Sequence, residues 1–485
     1  MLLSSRPLLR RWLIAGCLLV VAGVAIGVRA LFVDRVSQDY TAFLSPWYDT
    51  LAQGGGFAAV GTEVANYNPP YLYLLAAMTY LPIPKLVGVK LISIVFDVVL
   101  AGFAALVVRE RFRRPAVWVT AFAVVLLAPT VVVNSSWWGQ CDSIYAAFCL
   151  GSLWFLIRRR PVWACVFFGL AFAFKLQAVF FLPVLVIAIV ANRHRLAALL
   201  VSPAVFALCL VPAAVAGRDW SSLLAVYPNQ VSTGGTATGG AGRTGAAGFG
   251  PATGDRMPGG TGVSGTAPVG PAGNGTRSGG AGFGGGARPS GGGAASSYTQ
   301  NAPTFYQWLG SGAPVVWKFL GLALGAVIGT AAAVFTWSRR RRLGATELVV
   351  LTTLLVLAIP FVLPEMHERY LYLADVATIV MAFYIRRSWP VAVLVSAASL
   401  ASYAPFLWRT TPVPLGVAAA MDLVAALVTT WVAVDVLRGN DRWVRPVRSR
   451  SGRSTTPDPR PDAPADTRAD TGAAERSAGT PVWGR

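Results

Sequence analysis

The sequence predicts an all-α polytopic membrane protein, and three observations carry that prediction. Hydrophobic residues make up 55% of the chain and charged residues only 13%. Apolar runs recur that are long enough for the ~20 helical residues a bilayer crossing needs. Basic residues gather in short clusters between those runs, so the net charge of +20 sets orientation and does not indicate a nucleic-acid partner. The cysteines Cys17, Cys141, Cys149, Cys165 and Cys209 lie in or beside apolar segments without ligand spacing. Neither a disulfide framework nor a metal site is expected.

The first apolar run, Trp12 to Phe32, exceeds a signal-peptide core of ~7–15 residues and lacks a small-residue cleavage site after it. It reads as a retained first helix. Basic clusters follow at Arg6/Arg10/Arg11, Arg109 to Arg114, Arg158 to Arg160, Arg193 to Arg195, Arg339 to Arg342 and Arg386/Arg387. The positive-inside rule puts all of them in the cytoplasm, so an even number of crossings separates each from the next. After the first helix only one crossing, Leu86 to Val108, then fits before Arg109. Pro69 to Pro82 becomes an interfacial or re-entrant segment within a large first outer loop, 33–84.

Further helices are expected near 116–133, 142–157, 162–174, 178–191, 197–216, 314–337, 346–363, 370–385, 389–407 and 414–436. The total is about twelve spans at ~20 residues each, with both termini cytoplasmic. The transmembrane domain covers 1–437. The runs 162–174 and 178–191 are short, which recesses the outer ends carrying Lys175 and Gln177 into a polar cavity. An outer loop occupies 217–313. Its centre, 233–297, is dominated by Gly, Ala, Ser and Thr and reads as disordered, because such composition buries too little surface to offset backbone entropy. Its flanks, Trp220 to Gln230 and Tyr298 to Trp308, carry aromatic residues and are expected to form short helices. Asn274-Gly275-Thr276 matches a glycosylation sequon, a pattern frequent by chance. The segment 438–485 reads as a disordered cytoplasmic tail.

Four polar islands interrupt the apolar pattern, and this topology places all of them on one side: Ser37 to Tyr40, Trp137 to Asp142, Lys175 to Gln177, and Met366 to Tyr370. An ionisable group at membrane depth costs ~2.5–3.5 kcal/mol, so those present usually line a cavity or work. Asp39 is a candidate general base, with Asp34, Asp49 and Glu63 as rivals in the same loop. Gln140 and Asp142 stand at a helix start, where Asp142 either caps the helix or meets a ligand. Lys175 and Arg369 suit a phosphate, the first as a compact cation and the second as a planar fork. His367 is placed to donate to a leaving phosphate, and Glu368 to orient its neighbours. His194 belongs to a topogenic cluster. Lys90 and Asp97, seven residues apart on one helix face, suggest an interhelical contact.

The stretches Gln38-Asp39-Tyr40, Asn66-Tyr67-Asn68-Pro69-Pro70-Tyr71, Trp138-Gly139-Gln140-Cys141-Asp142-Ser143-Ile144, Phe174-Lys175-Leu176-Gln177-Ala178 and Pro364 to Tyr370 occur in an ordered set across most of the chain. Together they resemble the GT-C glycosyltransferases, specifically bacterial relatives of the second mannosyltransferase of GPI-anchor synthesis. The resemblance implies a GT-C-like fold and a polyprenyl-phosphate-linked sugar donor, with mannose the sugar. It also implies inverting transfer on the non-cytoplasmic face and a catalytic acid in the first outer loop, the position Asp39 matches. In that loop the Asn-Pro-Pro-Tyr stretch looks like the family's membrane-parallel segment, with Tyr67 and Asn68 at its entrance. The family often carries adjacent acids where Asp39 stands between Gln38 and Tyr40, and the glycine-rich loop lies outside the shared pattern.

The expected protein is therefore a plasma-membrane glycosyltransferase with no cofactor. It acts on an envelope glycan or lipid acceptor, with Asp39 as base and Lys175, Gln177, His367, Glu368, Arg369, Gln140, Asp142, Tyr67 and Asn68 at the substrates. The rival is a transporter or flippase for a lipid-linked sugar. No internal repeat of the kind many transporters carry is evident in the sequence.

Overall fold

A computed structural model describes residues 6–233, 298–310, 314–339, 342–440 and Trp443. The glycine-rich centre beyond Thr233, the sequon at Asn274 and the tail beyond Val444 lie outside the described residues. The described chain is helical almost throughout. Its first half contains α1 (Arg6–Ala30), α2 (Ser45–Gln53), α3 (Pro69–Met78), α4 (Lys85–Arg111), α5 (Pro115–Leu126), α6 (Pro129–Val132), α7 (Asp142–Ile157) and α8 (Pro161–Phe174). There follow α9 (Leu182–Ala191), α10 (Val201–Val215), α11 (Trp220–Thr233), α12 (Val316–Ser338), α13 (Ala345–Val362), α14 (Tyr372–Tyr384), α15 (Trp389–Leu407) and α16 (Leu415–Leu437). Two short strands, β1 (Thr299–Gln300) and β2 (Met366–His367), pair in parallel.

Among the described residues, seven helices are long and apolar enough to cross a membrane, or eight if the bent pair over Pro115–Trp138 is one span. Four more apolar helices, Asp142–Ile157, Pro161–Phe174, Leu176–Ala191 and Tyr372–Tyr384, are shorter. The chain is a polytopic helical membrane protein. Two helices start at a proline that follows arginine, at Arg114-Pro115 and Arg160-Pro161. Proline suits a first helical turn because its missing N–H has no partner there in any case.

Three expected elements differ. The helix expected over 116–133 bends by 46° after Leu126, where Pro129 cannot donate to the preceding turn. Its second part ends in a π turn, Val133–Trp138, stopped by Gly139 at φ 81°, a backbone region glycine enters without strain. The helix expected over 178–191 starts as a 3₁₀ turn, Leu176–Phe181. The flank expected as a helix over 298–308 is instead β1 followed by a single 3₁₀ turn, Phe305–Trp308.

The large hydrophobic core joins α4, α5, α7, α8, α9, α13, α14, α15 and α16. A second apolar cluster seats α2 and α3 on the Asp39 end of α4 and α7, through Tyr40, Leu44, Leu51, Tyr71, Leu72, Leu75 and Ile144. At ten residues α3 is about 15 Å long, half a bilayer core, and it is buried by protein. Deeper down, Arg29 of α1 donates to Asp97 of α4 at 2.7 Å, and Ser135 Oγ donates to the same carboxylate at 2.6 Å. Lys90 Nζ donates to the Phe32 and Arg35 carbonyls at 3.0 and 2.5 Å. Lys90 and Asp97 therefore pair with the end of α1 and the turns after it, which fixes where the chain enters the Asp39 segment.

Candidate active site

Asp39 lies in the first turn of a helical stretch that continues through the π turn Tyr40–Leu44 into α2. Ser37 starts that stretch by accepting from the Tyr40 N–H at 3.1 Å, and its own hydroxyl donates to the Trp138 carbonyl at 2.7 Å. The Asp39 carboxylate is thereby set against the π turn. Its Oδ2 accepts from Trp138 Nε1 at 2.9 Å, from Gln140 Nε2, and from Arg369 Nη1 at 3.3 Å. All three donors meet one oxygen, so Oδ1 accepts no hydrogen bond from the described residues. A carboxylate held by one oxygen with the other open is suited to take a proton from an incoming hydroxyl.

Arg369 comes from the loop between α13 and α14. Glu365, at φ 61°, is held in that strained turn by its N–H to the Tyr298 carbonyl at 2.6 Å and by Lys318 Nζ at 2.5 Å. Pairing of β1 with β2 and a hydrogen bond from Ser402 Oγ to the Glu368 carbonyl at 3.0 Å fix the rest of the loop. The guanidinium lies 5.4 Å over the Trp138 ring and reaches Asp39, Glu368 (3.4 Å) and Asp142 (3.9 Å). Its Nε is buried and donates to no described group within hydrogen-bond distance.

Behind it, Lys175 Nζ donates to Asp142 Oδ1, and Asn134 Nδ2 donates to Asp142 Oδ2 at 2.8 Å. Both charged side chains of that pair are nearly sealed, at 7% and 1% exposure. Lys175 stands at the break between α8 and the 3₁₀ turn, where the chain is extended (φ −153°) and the side chain is released toward the site. It also lies 5.9 Å from the Tyr67 ring centroid. Asn68 and Gln177 are buried nearby on the α3 and α9 sides, and His367 packs its ring on Tyr370 at 5.1 Å.

All ten expected site residues thus gather at the same end of the fold, and several roles change. Asp142 is not a helix cap: α7 has no side-chain cap, and Asp142 is instead the counter-ion of Lys175. Burial, Arg369 and Lys175 push the His367 imidazole down to about 3, so it is neutral near pH 7 and offers a hydrogen bond but no charge to a phosphate. Among the rival bases, Asp49 is paired with Lys85 at 2.8 Å and Glu63 accepts from Ser222. Sequence reasoning missed Trp138 and Asn134, which hold the two aspartates. The signal was their position in or just before one island, but only the π turn decides that Trp138 faces inward.

Burial raises the Glu368 carboxyl from 4.5 to about 7, against the opposing pull of Arg369. An acid raised on folding is most compatible with the fold when protonated, so its contribution worsens as pH rises from about 4.5 to about 7 and is level above that. Glu368→Gln should therefore melt above the wild type at pH 8 and together with it at pH 4. Equal melting temperatures at both values would show that Glu368 ionises freely.

Residues 66–247 match the family model of glycosyltransferase family 87. That family is of the GT-C type, and the match supports a glycosyltransferase. It spans less than half of the chain, covering Tyr67, Asn68, Gln140, Asp142, Lys175 and Gln177 while leaving Asp39 and the Arg369 loop outside. The kinship with the second mannosyltransferase of GPI-anchor synthesis is finer than this match states. No curated protein matches the chain.

Proposed function

We propose that the protein is an inverting glycosyltransferase that moves mannose from a polyprenyl-phosphate donor to an envelope acceptor. In this reading it has twelve spans and works on the extracytoplasmic face of the plasma membrane. The observation that carries the reading is the Asp39 carboxylate, open at one oxygen and 3.3 Å from a guanidinium at the other. An acceptor hydroxyl oxygen attacks the anomeric carbon from the side of Asp39 as the bond to the phosphate oxygen breaks. The hydroxyl proton passes to Asp39 Oδ1, and the bonding pair leaves with the lipid phosphate toward Arg369 and Lys175. Phosphate is a good leaving group, so positioning and charge stabilisation supply most of the rate, and a strong acid is not required.

The test is incubation of the purified full chain in proteoliposomes with labelled polyprenyl-phosphate mannose and an acceptor glycoside. Release of polyprenyl phosphate with label in the acceptor is expected. Movement of intact donor between leaflets without cleavage would instead establish the transporter.

A further inference from the structure

An apolar groove of about 580 Å³ runs between α12, α13 and α16, from Trp317 and Val362 at the Arg369 end to Phe335 and Leu437 at the other. Leu320, Leu324 and Leu427 on its rim are exposed, so it opens where lipid chains would lie. Its two ends differ. At the Arg369 end aromatic rings stop it: Phe305 lies 5.7 Å from Trp317, and the Tyr306 hydroxyl donates to the Trp317 carbonyl at 2.9 Å. Lys318 beside them is engaged by Glu365. At the other end the groove shares Leu437 with a small pocket lined by Thr336, Arg339, Arg342, Leu343 and Glu347.

That pocket suits an anion. Thr336 is 2% exposed, and its hydroxyl has no hydrogen-bond partner among the described residues, a state that buried polar groups rarely keep. The pocket holds about 10 Å³, room for one oxygen of the size of water. Arg339 and Arg342 flank it, and Glu347 also answers the charges of Arg111 and Arg159, so positive charge is in excess. The 18 residues of α13 put this pocket about 27 Å from the Arg369 loop, close to the thickness of a bilayer core. It therefore faces the opposite leaflet, which the positive-inside rule makes the cytoplasmic one.

We propose that this groove binds an anionic glycerophospholipid of the cytoplasmic leaflet. One phosphate oxygen accepts from Thr336 Oγ1, the others face the Arg339 and Arg342 guanidinium groups, and the acyl chains lie along the Arg339 end of the groove. A donor polyprenyl chain, whose phosphate belongs to Arg369 and Lys175, would have to enter past the aromatic stop and would leave Thr336 unanswered. The lipid site shares no residue with the Asp39 site and does not depend on the transferase reading. Bound lipid would tie α12 to α13 and α16.

The probes are dioleoyl phosphatidylglycerol and dioleoyl phosphatidylcholine, titrated into the lipid-stripped full chain in neutral detergent, with the rise in melting temperature reading binding. Phosphatidylcholine brings the same chains but a choline cation that the arginines repel, so the phosphatidylglycerol midpoint is expected about tenfold lower. Arg339→Gln combined with Arg342→Gln brings the two midpoints together. Ala332→Trp, which fills the groove near its Arg339 end, weakens both phospholipids and leaves the binding of polyprenyl phosphate unchanged. The melting temperature of each variant without lipid checks that it folds, and the wild-type comparison needs no variant. Equal midpoints in the wild type, or a tenfold preference that survives the double arginine variant, overturns the assignment. So does an equal rise with inorganic phosphate, which would make the pocket a plain anion site. Loss of polyprenyl phosphate binding in Ala332→Trp would give the groove to the donor chain and overturn it as well.

Discussion

Asp39→Asn is expected to lower sugar transfer about a thousandfold, within the ~10²–10⁴ range that a positioned general base contributes. The substitution is isosteric, and the amide oxygen still accepts from Trp138 and Gln140, so expression and melting temperature should stay at wild-type values. What is lost is the basic oxygen, together with the charge that draws Arg369 to within 3.3 Å. A transfer assay on purified, reconstituted variant measures the loss. Near-normal turnover would transfer the role to another acid of the loop. Asp49 and Glu63 are already engaged with Lys85 and Ser222, which leaves the exposed Asp34 as the residue to test next.

Lys175→Ala is expected to have the largest effect on stability. It leaves the Asp142 carboxylate at 1% exposure with one hydrogen bond, from the Asn134 amide, and the Arg369 guanidinium only at 3.9 Å. Breaking a buried pair from one side costs ~3–5 kcal/mol, whereas replacing both partners by neutral groups is often nearly neutral. Thermal unfolding in lipid micelles should therefore show a large drop for Lys175→Ala and a much smaller one for Lys175→Met combined with Asp142→Asn. The double variant should nevertheless remain inactive, because it lacks one of the two cations that face the leaving phosphate. Transfer by a stable double variant would reduce the pair to a structural contact.

The helices were the most legible part of the sequence, because each is an apolar run closed by arginine or proline. The run expected over 142–157 is α7 to the residue. The bend after Leu126 was less legible, since a single proline inside an apolar run fits both a kink and a new start. The pairing of Tyr298 to Asn301 with Glu365 to His367 left no pattern to read: two-residue strands have no period, and the two partners are separated in the chain by α12 and α13. The candidate site was legible as a set of residue types in polar islands, but not as a set of pairings. That Asp142 belongs to Lys175, and that Trp138 rather than Trp137 holds Asp39, depends on the π turn ended by Gly139 and on the extended backbone at Lys175. Glu368 was legible as a site residue of the dense island, but only its burial, which outweighs the opposing pull of Arg369, gives it a carboxyl that titrates near neutrality.

The central claim is that Asp39 and the Arg369–Lys175 pair form one transfer site. It is tested most directly by an experimental structure with a non-transferable phosphonate analogue of polyprenyl-phosphate mannose. The account predicts the phosphonate oxygens about 3 Å from Arg369 and Lys175 nitrogens, a normal charge-assisted hydrogen-bond distance, with the anomeric carbon facing Asp39. A phosphonate seated away from both cations, or an anomeric carbon turned from Asp39, would contradict it.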